Sequence, residues 1–399
     1  MSVPDELRRY VPRTDLYDSA ELISYHMPIE QPPATASYII FKKGNKTYAK
    51  NGVYGHIEYE NTDPTEVIQY AIDKTYSKGG GTILLTAGTY EVSTIKLRDK
   101  VRITGEGIRA TKVKLKDGEN ANVFEWTPTS NEYFAGLFDM IVDGNKDNNT
   151  SGHCLYTTDA NGGDPRDFHS ARVWYDNAAQ DGVHLDSSWG YKFTDCLFEG
   201  NGQDGLYNAG SQLCVTSFYA ALNGRHGIYH EGVDSVFSGK IHGNNGHGLY
   251  ITGHKNHGSV CITDSGYNGA FIHGDKNVFQ IYATNSSLAS SGTYYNLRVY
   301  GSENNIRGVA LGGSHIKADV WAGGVHNWLW LRFDSIEYST WGNEKYLQII
   351  NGVAINEGDP DSTGAWATLT KEDGLIIRDT TNNITYVYDS RVAGGRYTV

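Results

Sequence analysis

From residue 182 to residue 273 the chain repeats one short pattern: a glycine, an apolar residue, an aromatic or histidine, and a further apolar or polar residue. The members are Gly182-Val183-His184-Leu185-Asp186, Gly205-Leu206-Tyr207-Asn208-Ala209, Gly227-Ile228-Tyr229-His230-Glu231, Gly248-Leu249-Tyr250-Ile251-Thr252 and Gly269-Ala270-Phe271-Ile272-His273, with glycines 23, 22, 21 and 21 residues apart. Gly152-His153-Cys154-Leu155-Tyr156 reads as an earlier, irregular member. Alternation over so few residues predicts short strands, and a period just above twenty suits a coil of three strands and three turns. In that register Val183, Leu206, Ile228, Leu249 and Ala270 point inward, and His184, Tyr207, Tyr229, Tyr250 and Phe271 point outward. Asn201, Asn223 and Asn244 each stand four residues before a glycine. That spacing predicts an asparagine ladder, amides bonded coil to coil at a bend.

The flanks read differently. Asp63-Pro64-Thr65-Glu66 opens a helix, with Asp63 as N-cap, Pro64 at the first position and Glu66 completing a capping box. Val67, Ile68, Ala71 and Ile72 supply its apolar face; the helix is expected to reach about Tyr76 and stop at Gly79-Gly80-Gly81, with a strand from Thr82. Residues 1–55 lack the repeat, contain Pro28, Pro32 and Pro33, and read as an N-terminal arm. After about residue 345 the repeat fades, and the tail carries a hairpin signal around Asn382-Asn383.

Composition narrows the picture. Apolar residues are 39% of 399, enough to line a narrow core; 47 glycines and 28 tyrosines against 9 prolines and 3 methionines favour an all-β chain with many tight corners. The net charge of −12, with no run of Lys and Arg, argues against a nucleic-acid partner. No window of about 18 apolar residues could span a bilayer, so no membrane insertion is expected. The polar Met1–Tyr10 start shows no signal peptide. Cys154, Cys196, Cys214 and Cys261 lack CxxC spacing and read as buried free thiols.

A short helix, a glycine cluster and then GTILLTAGTYEVSTIKLRDKVRITGEG resemble the opening of the pectate-lyase-like superfamily. The resemblance covers roughly residues 50–345. It implies an all-β, right-handed, single-stranded parallel β-helix whose open end is capped by the helix near 64–76. The chain then divides into an arm over 1–55, a β-helix over 56–345 and a C-terminal β segment over 346–399. That superfamily includes lyases, hydrolases, epimerases, viral tailspikes and proteins without catalysis. The segment GLIIRDTTNNITYVYDS also resembles the terminal strands of viral tail fibres, which would cap or trimerise a shaft and admit a homotrimer. An extracellular or virion-associated setting follows.

The chemistry is read off the outward face. His184, Tyr207, Tyr229, Tyr250 and Phe271 form an aromatic stripe suited to sugar rings, although stacked rings also stabilise a sheet by themselves. Two residues further on stand Asp186, Ala209, Glu231, Thr252 and His273. Asp186 and Glu231 are two coil steps, about 9.6 Å, apart, near the upper end of the roughly 6.5–9.5 Å used by inverting glycosidases. A second set, Asp181, Asp204 and His226, precedes the glycines and is followed by His247. It resembles the catalytic register of polygalacturonase-type hydrolases, but Gln203 replaces one of the paired aspartates and the Arg-Ile-Lys counterpart is missing. Asp-Gly and His-Gly pairs also suit coil corners. A lyase would further need a cation for the substrate carboxylate, for which Arg225, Lys240 and Lys255 are available. No motif requires a cofactor; Asp143-Gly144-Asn145-Lys146-Asp147-Asn148-Asn149, with oxygen ligands at alternate positions, is the one calcium candidate. The expectation is a polysaccharide-active enzyme, glycoside hydrolase or polysaccharide lyase, with Asp186, Glu231, Asp204, His226 and Asp181 as acid–base candidates. The alternative is a glycan-binding or structural spike without catalysis.

Overall fold

The computed structural model describes residues 36–285, 294–311, 318–320, 328–333, 348–350, 353–356, 358–364, 367, 376–392 and 394–399. The fold is the right-handed parallel β-helix that the resemblance implied. Each coil contributes a strand to a narrow sheet of ten strands and one or two to a wider sheet of seventeen. The narrow sheet contains the glycine-headed strands. From Leu155–Thr157 it continues through Val183–Leu185, Leu206–Asn208, Ile228–His230, Leu249–Ile251 and Ala270–His273 to Leu297–Tyr300, each strand parallel to the next. The register is unbroken: Leu155, Val183, Leu206, Ile228, Leu249, Ala270 and Leu297 are aligned and buried in the core. Phe193, Phe198, Tyr175 and Phe237 face them from the wide sheet. Alternation thus supplies one dry wall and one wet wall to every strand.

Close approach at the corner explains the recurring glycine. A Cβ at Gly182 would lie 2.6 Å from the Asn201 amide nitrogen and 2.7 Å from the Gly205 carbonyl; Gly205 and Gly227 meet Asn223 and Asn244 in the same way. Those asparagines form the expected ladder. Asn201 Nδ2 donates to Asn223 Oδ1 at 3.0 Å and Asn223 Nδ2 to Asn244 Oδ1 at 2.8 Å, while the main-chain N–H groups of Asn201 and Asn223 donate to the same two oxygens. All three side chains are buried. The other corner carries a second ladder not foreseen from sequence, in which Ser235, Asn256 and Asn277 donate main-chain N–H groups to Asn256, Asn277 and Asn304.

The N-terminal end differs from the expected arm. Strands β1 (Tyr38–Lys43), β2 (Lys46–Asn51) and β3 (Ile57–Asn61) form an antiparallel meander, and β1 pairs in parallel with β4 (Gly81–Leu85). Residues 36–55 therefore belong to the wide sheet, and residues 1–35 lie outside the described part. Tyr38 and Ile40 are buried because β1 covers what would otherwise be an open sheet edge. Helix α1 (Pro64–Ser77) follows, burying Val67, Ile68, Ala71 and Ile72 against the core. Asp63 caps it by accepting from the Thr65 N–H at 2.9 Å. The capping box does not form: the Asp63 N–H is taken by Asn61 Oδ1 and Glu66 stays exposed. Of the cysteines, Cys154 and Cys196 are buried; Cys214 and Cys261 are half-buried, a correction to the expectation that all four lie inside, and all four are free.

At the other end the two long sheets reach Ala318–Val320 and Trp328–Phe333. A separate five-stranded sheet begins at Gln348–Ile350. It includes the hairpin of Ile376–Asp379 and Ile384–Tyr388, turned at Asn383 in the left-handed region at φ 59°.

Replacing Asn223 by Ala should strip partners from the Asn201 N–H, the Asn201 amide and the Phe198 carbonyl at once. A loss of about 1–3 kcal/mol for each buried group left unpaired is expected. Thermal and denaturant unfolding of N223A beside an exposed-site control such as Glu66→Ala measures it; equal midpoints would contradict the ladder's role.

Candidate functional site

The outer wall of the narrow sheet carries one continuous column of side chains. Glu125, Tyr156, His184, Tyr207, Tyr229, Tyr250, Phe271 and Arg298 are aligned across adjacent strands. Tyr229 and Tyr250 stack at 4.7 Å and 9°, and Tyr250 and Phe271 at 5.0 Å and 4°. His184 stacks on Tyr207 at 4.5 Å, whereas Tyr207 meets Tyr229 edge-on. Three members of the column, Glu125, Tyr156 and Arg298, were not among the outward residues read from sequence. For the last two the reason is a displaced glycine. Cys154 stands where Gly182 stands one coil later, so phasing on Gly152 misplaces Tyr156 by two residues; Asn296 replaces the glycine before Leu297. Cys154 fits because Ala178 occupies the ladder position that Asn201 takes in the next coil.

At the Tyr156–His184 end the polar groups converge. His184 donates from Nδ1 to Asp181 Oδ2 at 2.6 Å and from Nε2 to Asp186 Oδ1 at 3.0 Å. The Tyr156 hydroxyl donates to the other Asp186 oxygen at 2.6 Å. Partial burial works against charge on Asp186, but the bonds from Tyr156 and His184 more than offset it and hold its pKa below the ordinary carboxylate range. Burial also opposes a charge on His184; the two flanking carboxylates overcome it and raise the imidazole pKa. The Tyr156 phenol is pushed up to about 12 by burial and by Asp186. The result is an imidazolium clamped between two carboxylates, one of which also bridges to a phenol. Beside it opens a shallow cavity lined by Asn122, Glu125, His153, Tyr156, Gln180 and His184.

Asp181, Asp204 and His226 take part in a third ladder. Each accepts, through its side chain, the main-chain N–H of the residue one coil on. His153 accepts from Asp181 at 3.1 Å, Asp181 from Asp204 at 2.8 Å, Asp204 from His226 at 2.9 Å, His226 from His247 at 2.9 Å and His247 from Asn268 at 3.1 Å. Asp204 is fully buried and its pKa is raised to about 6 by burial, against the pull of Arg225. The Arg225 guanidinium grips it with two bonds, through Nε at 2.7 Å and through Nη2, and its Nη2 lies 3.8 Å from Asp181. Arg225 nevertheless keeps 44% of its side chain exposed, toward the outer wall. His226 has its Nδ1 occupied by the ladder and its pKa lowered to about 3 by burial and by His247 and Arg225.

Asp186 and Glu231 lie at the start of the next corner, two coil steps apart, with Ala209 between. Glu231 is exposed and raises the phenol of Tyr229, after burial, by hydrogen bonding. The loop from Asp143 to Asn149 acts as a tie between coils. Asp143 accepts from Lys112, the Asn145 N–H and Asn177, and Asn149 Oδ1 accepts from the Asn120 N–H. Among the described residues one set of potential metal ligands converges: His153, Asp181 and His184, with ligand atoms within 4.8 Å of one another. In this structure those atoms are engaged with one another and with the ladder.

The fold and face together define a β-helix with an aromatic track and a hydrogen-bonded cluster of Tyr156, Asp186, His184 and Asp181 toward one end of it. No protein-family model matches the chain. Over 105 residues it is 39% identical to mannuronan C5-epimerase AlgE1 of Azotobacter vinelandii, a match covering 23% of this chain and 7% of that protein. Over 98 residues it is 35% identical to alginate lyase 7 of the same organism, covering 22% of this chain and 11% of the relative. The chain therefore spans only a small part of these relatives' length. Among solved structures it is similar to ORF18 of Geobacillus virus E2, with a TM-score of 0.53 and 14% identity over 90% of this chain and 93% of that one. The enzymatically active domain of tailspike protein 2 of bacteriophage CBA120 gives 0.52 and 15% over 88% and 59%. At such identities the likeness is one of fold.

The buried histidines make stability pH-dependent. Burial lowers His153, His230 and His247 to about 4 and His226 to about 3, whereas an unfolded histidine titrates near about 6.5. Between those values the unfolded chain binds more protons, so stability falls as pH drops. The melting temperature is expected to be lower at about pH 5 than at about pH 7.5. The gap should narrow in a His226→Asn/His247→Asn variant, and an unchanged gap would remove these two histidines from the account.

Proposed function

We propose that the chain acts on a uronate polysaccharide, taking the proton from C5 of a sugar unit beside its carboxylate. The observation that carries this reading is the Tyr156–Asp186–His184–Asp181 chain of hydrogen bonds on the outer wall, in register with the aromatic column. Asp186, ionised between a phenol and an imidazolium, is the group that can take the C5 proton, and Tyr156 or His184, both protonated, can return one to C5 or to the departing O4. The names of the relatives, a mannuronan C5-epimerase and an alginate lyase, support the same first step. Loss of H5 places its electron pair on the neighbouring carboxyl group as an enediolate. Return of a proton on the opposite face gives the C5 epimer; expulsion of the sugar at O4 gives an unsaturated uronate. In both cases the carboxylate must be met by positive charge, and the exposed edge of Arg225 supplies it. Asp181 positions the His184 ring, and Tyr207, Tyr229, Tyr250 and Phe271 line the wall along which the neighbouring sugars lie.

Glycosidic hydrolysis fits less well. It needs one carboxylic acid held protonated near neutral pH; Asp186 is held ionised, and Asp204, raised to about 6, is fully buried and bound by Arg225. A polymer of this kind lies outside cells, which places the protein in an extracellular or virion-associated setting.

Incubation with polymannuronate and with alginate in heavy water, followed by NMR, reads this reaction directly: H5 should exchange for deuterium, with epimer or unsaturated product alongside. His184→Gln and Tyr156→Phe, both at the outer wall, should each slow exchange by roughly 100-fold or more while the protein stays folded. Full exchange in both variants would refute the assignment. Binding without any exchange in the wild type would make the chain a glycan-binding module instead.

A further inference from the structure

Two histidines of the third ladder present chemistry that the proton-handling cluster does not use. His226 and His247 each accept a main-chain N–H at Nδ1, from His247 and Asn268 respectively. A neutral imidazole that accepts at one nitrogen carries its proton on the other. Their Nε2–H groups are therefore fixed donors. The two rings lie parallel, 5.0 Å apart at 11°, so both donors project in the same direction one coil apart. Among the described residues neither Nε2 has a hydrogen-bond partner, and neither appears among the buried polar atoms lacking one.

Their surroundings point to a ligand with both an apolar face and oxygen atoms. Alongside run the parallel rings of Tyr229, Tyr250 and Phe271, with His226 at 5.4 Å and His247 at 5.0 Å from the Tyr250 centroid. The next residue of the column is Arg298, whose guanidinium lies 5.4 Å from the Phe271 ring and whose charge acts on His247. An apolar ridge of stacked rings, two N–H donors beside it and a cation at the end match a pyranose unit bearing a carboxylate.

We propose that His226 and His247, with the Tyr229–Tyr250–Phe271 platform and Arg298, form a remote uronate subsite that holds a sugar unit of the same chain away from the reacting one. Its two histidines lie two and three coil steps from His184, about 10–14 Å along the axis. This deepens the function proposed above and rests on it. The subsite makes the enzyme read chain length: a long polyuronate reaches both centres, a short one only the first. It also explains why histidine occupies ladder positions that asparagine fills at Asn122 and Asn268, where an amide oxygen does the same structural work.

That equivalence supplies the test. His226→Asn and His247→Asn keep the ladder acceptor and remove the outward donor. Affinity for long polymannuronate and for a mannuronate dimer is measured by calorimetry on wild type, both variants and the double variant. The double variant should lose roughly tenfold in affinity for the polymer, as two neutral hydrogen bonds predict, with a much smaller loss for the dimer and for a neutral glucan. Equal polymer affinity in folded variants overturns the subsite while leaving H5 exchange, and so the main reading, intact. Absence of both polymer binding and exchange in the wild type would instead overturn the main reading. Should the variants fail to fold, nitrogen NMR of the wild-type imidazoles decides. Polymannuronate must shift the Nε2 signals of His226 and His247, and unmoved signals reject the proposal.

Discussion

The structure depends on how main-chain N–H groups are satisfied at the corners of the coils. Within the strands each N–H meets a carbonyl one coil away. At the bends the chain turns too sharply for that, and a buried N–H without a partner is costly. The protein answers with side chains: asparagine amides at two corners, and a mixed column from Asn122 through His153, Asp181, Asp204, His226 and His247 to Asn268 beside the narrow sheet. Because every acceptor bonds to an adjacent coil, each ladder also sets the register of its neighbour. A slip of one residue would turn the whole aromatic column inward.

The same constraint shapes the chemistry. Asp181 occupies a ladder position with one oxygen and bonds His184 with the other. Its neighbour Asp204 is buried so completely that it stands only with Arg225 wrapped around it, and that pairing brings a guanidinium to the outer wall. Scaffold and site thus share atoms. A histidine in the ladder is equally bound by its surroundings: with Nδ1 committed and the ring buried it stays neutral and presents a donor. The flanked His184, free of the ladder, becomes a cation.

Some of the site was legible in the residues and some was not. The outward positions of His184, Tyr207, Tyr229, Tyr250 and Phe271 followed from alternation and period alone, since a strand offers only two faces. Tyr156 escaped because a cysteine replaces the phasing glycine, and the 28 residues between His153 and Asp181 exceed the regular period of the repeat. The placing of Asp181, Asp204 and His226 on successive coils was also readable, yet their bonding was not: Asp-Gly and His-Gly at a corner look alike whether the side chain faces water or accepts an N–H.

What the sequence determined unaided was what local spacing encodes: the stacked coils, their dry and wet walls and the asparagine ladder, which repeat from coil to coil, and, outside the repeat, the helix read near residues 64–76 from its own cap and apolar spacing. Only the tertiary structure decided that residues 36–61 complete the wide sheet and that Tyr156 joins Asp186 and His184. It alone showed that burial holds some histidines neutral while paired carboxylates charge another. Those outcomes depend on distances between groups some twenty to thirty residues apart and on how much water each retains, quantities that no local pattern encodes.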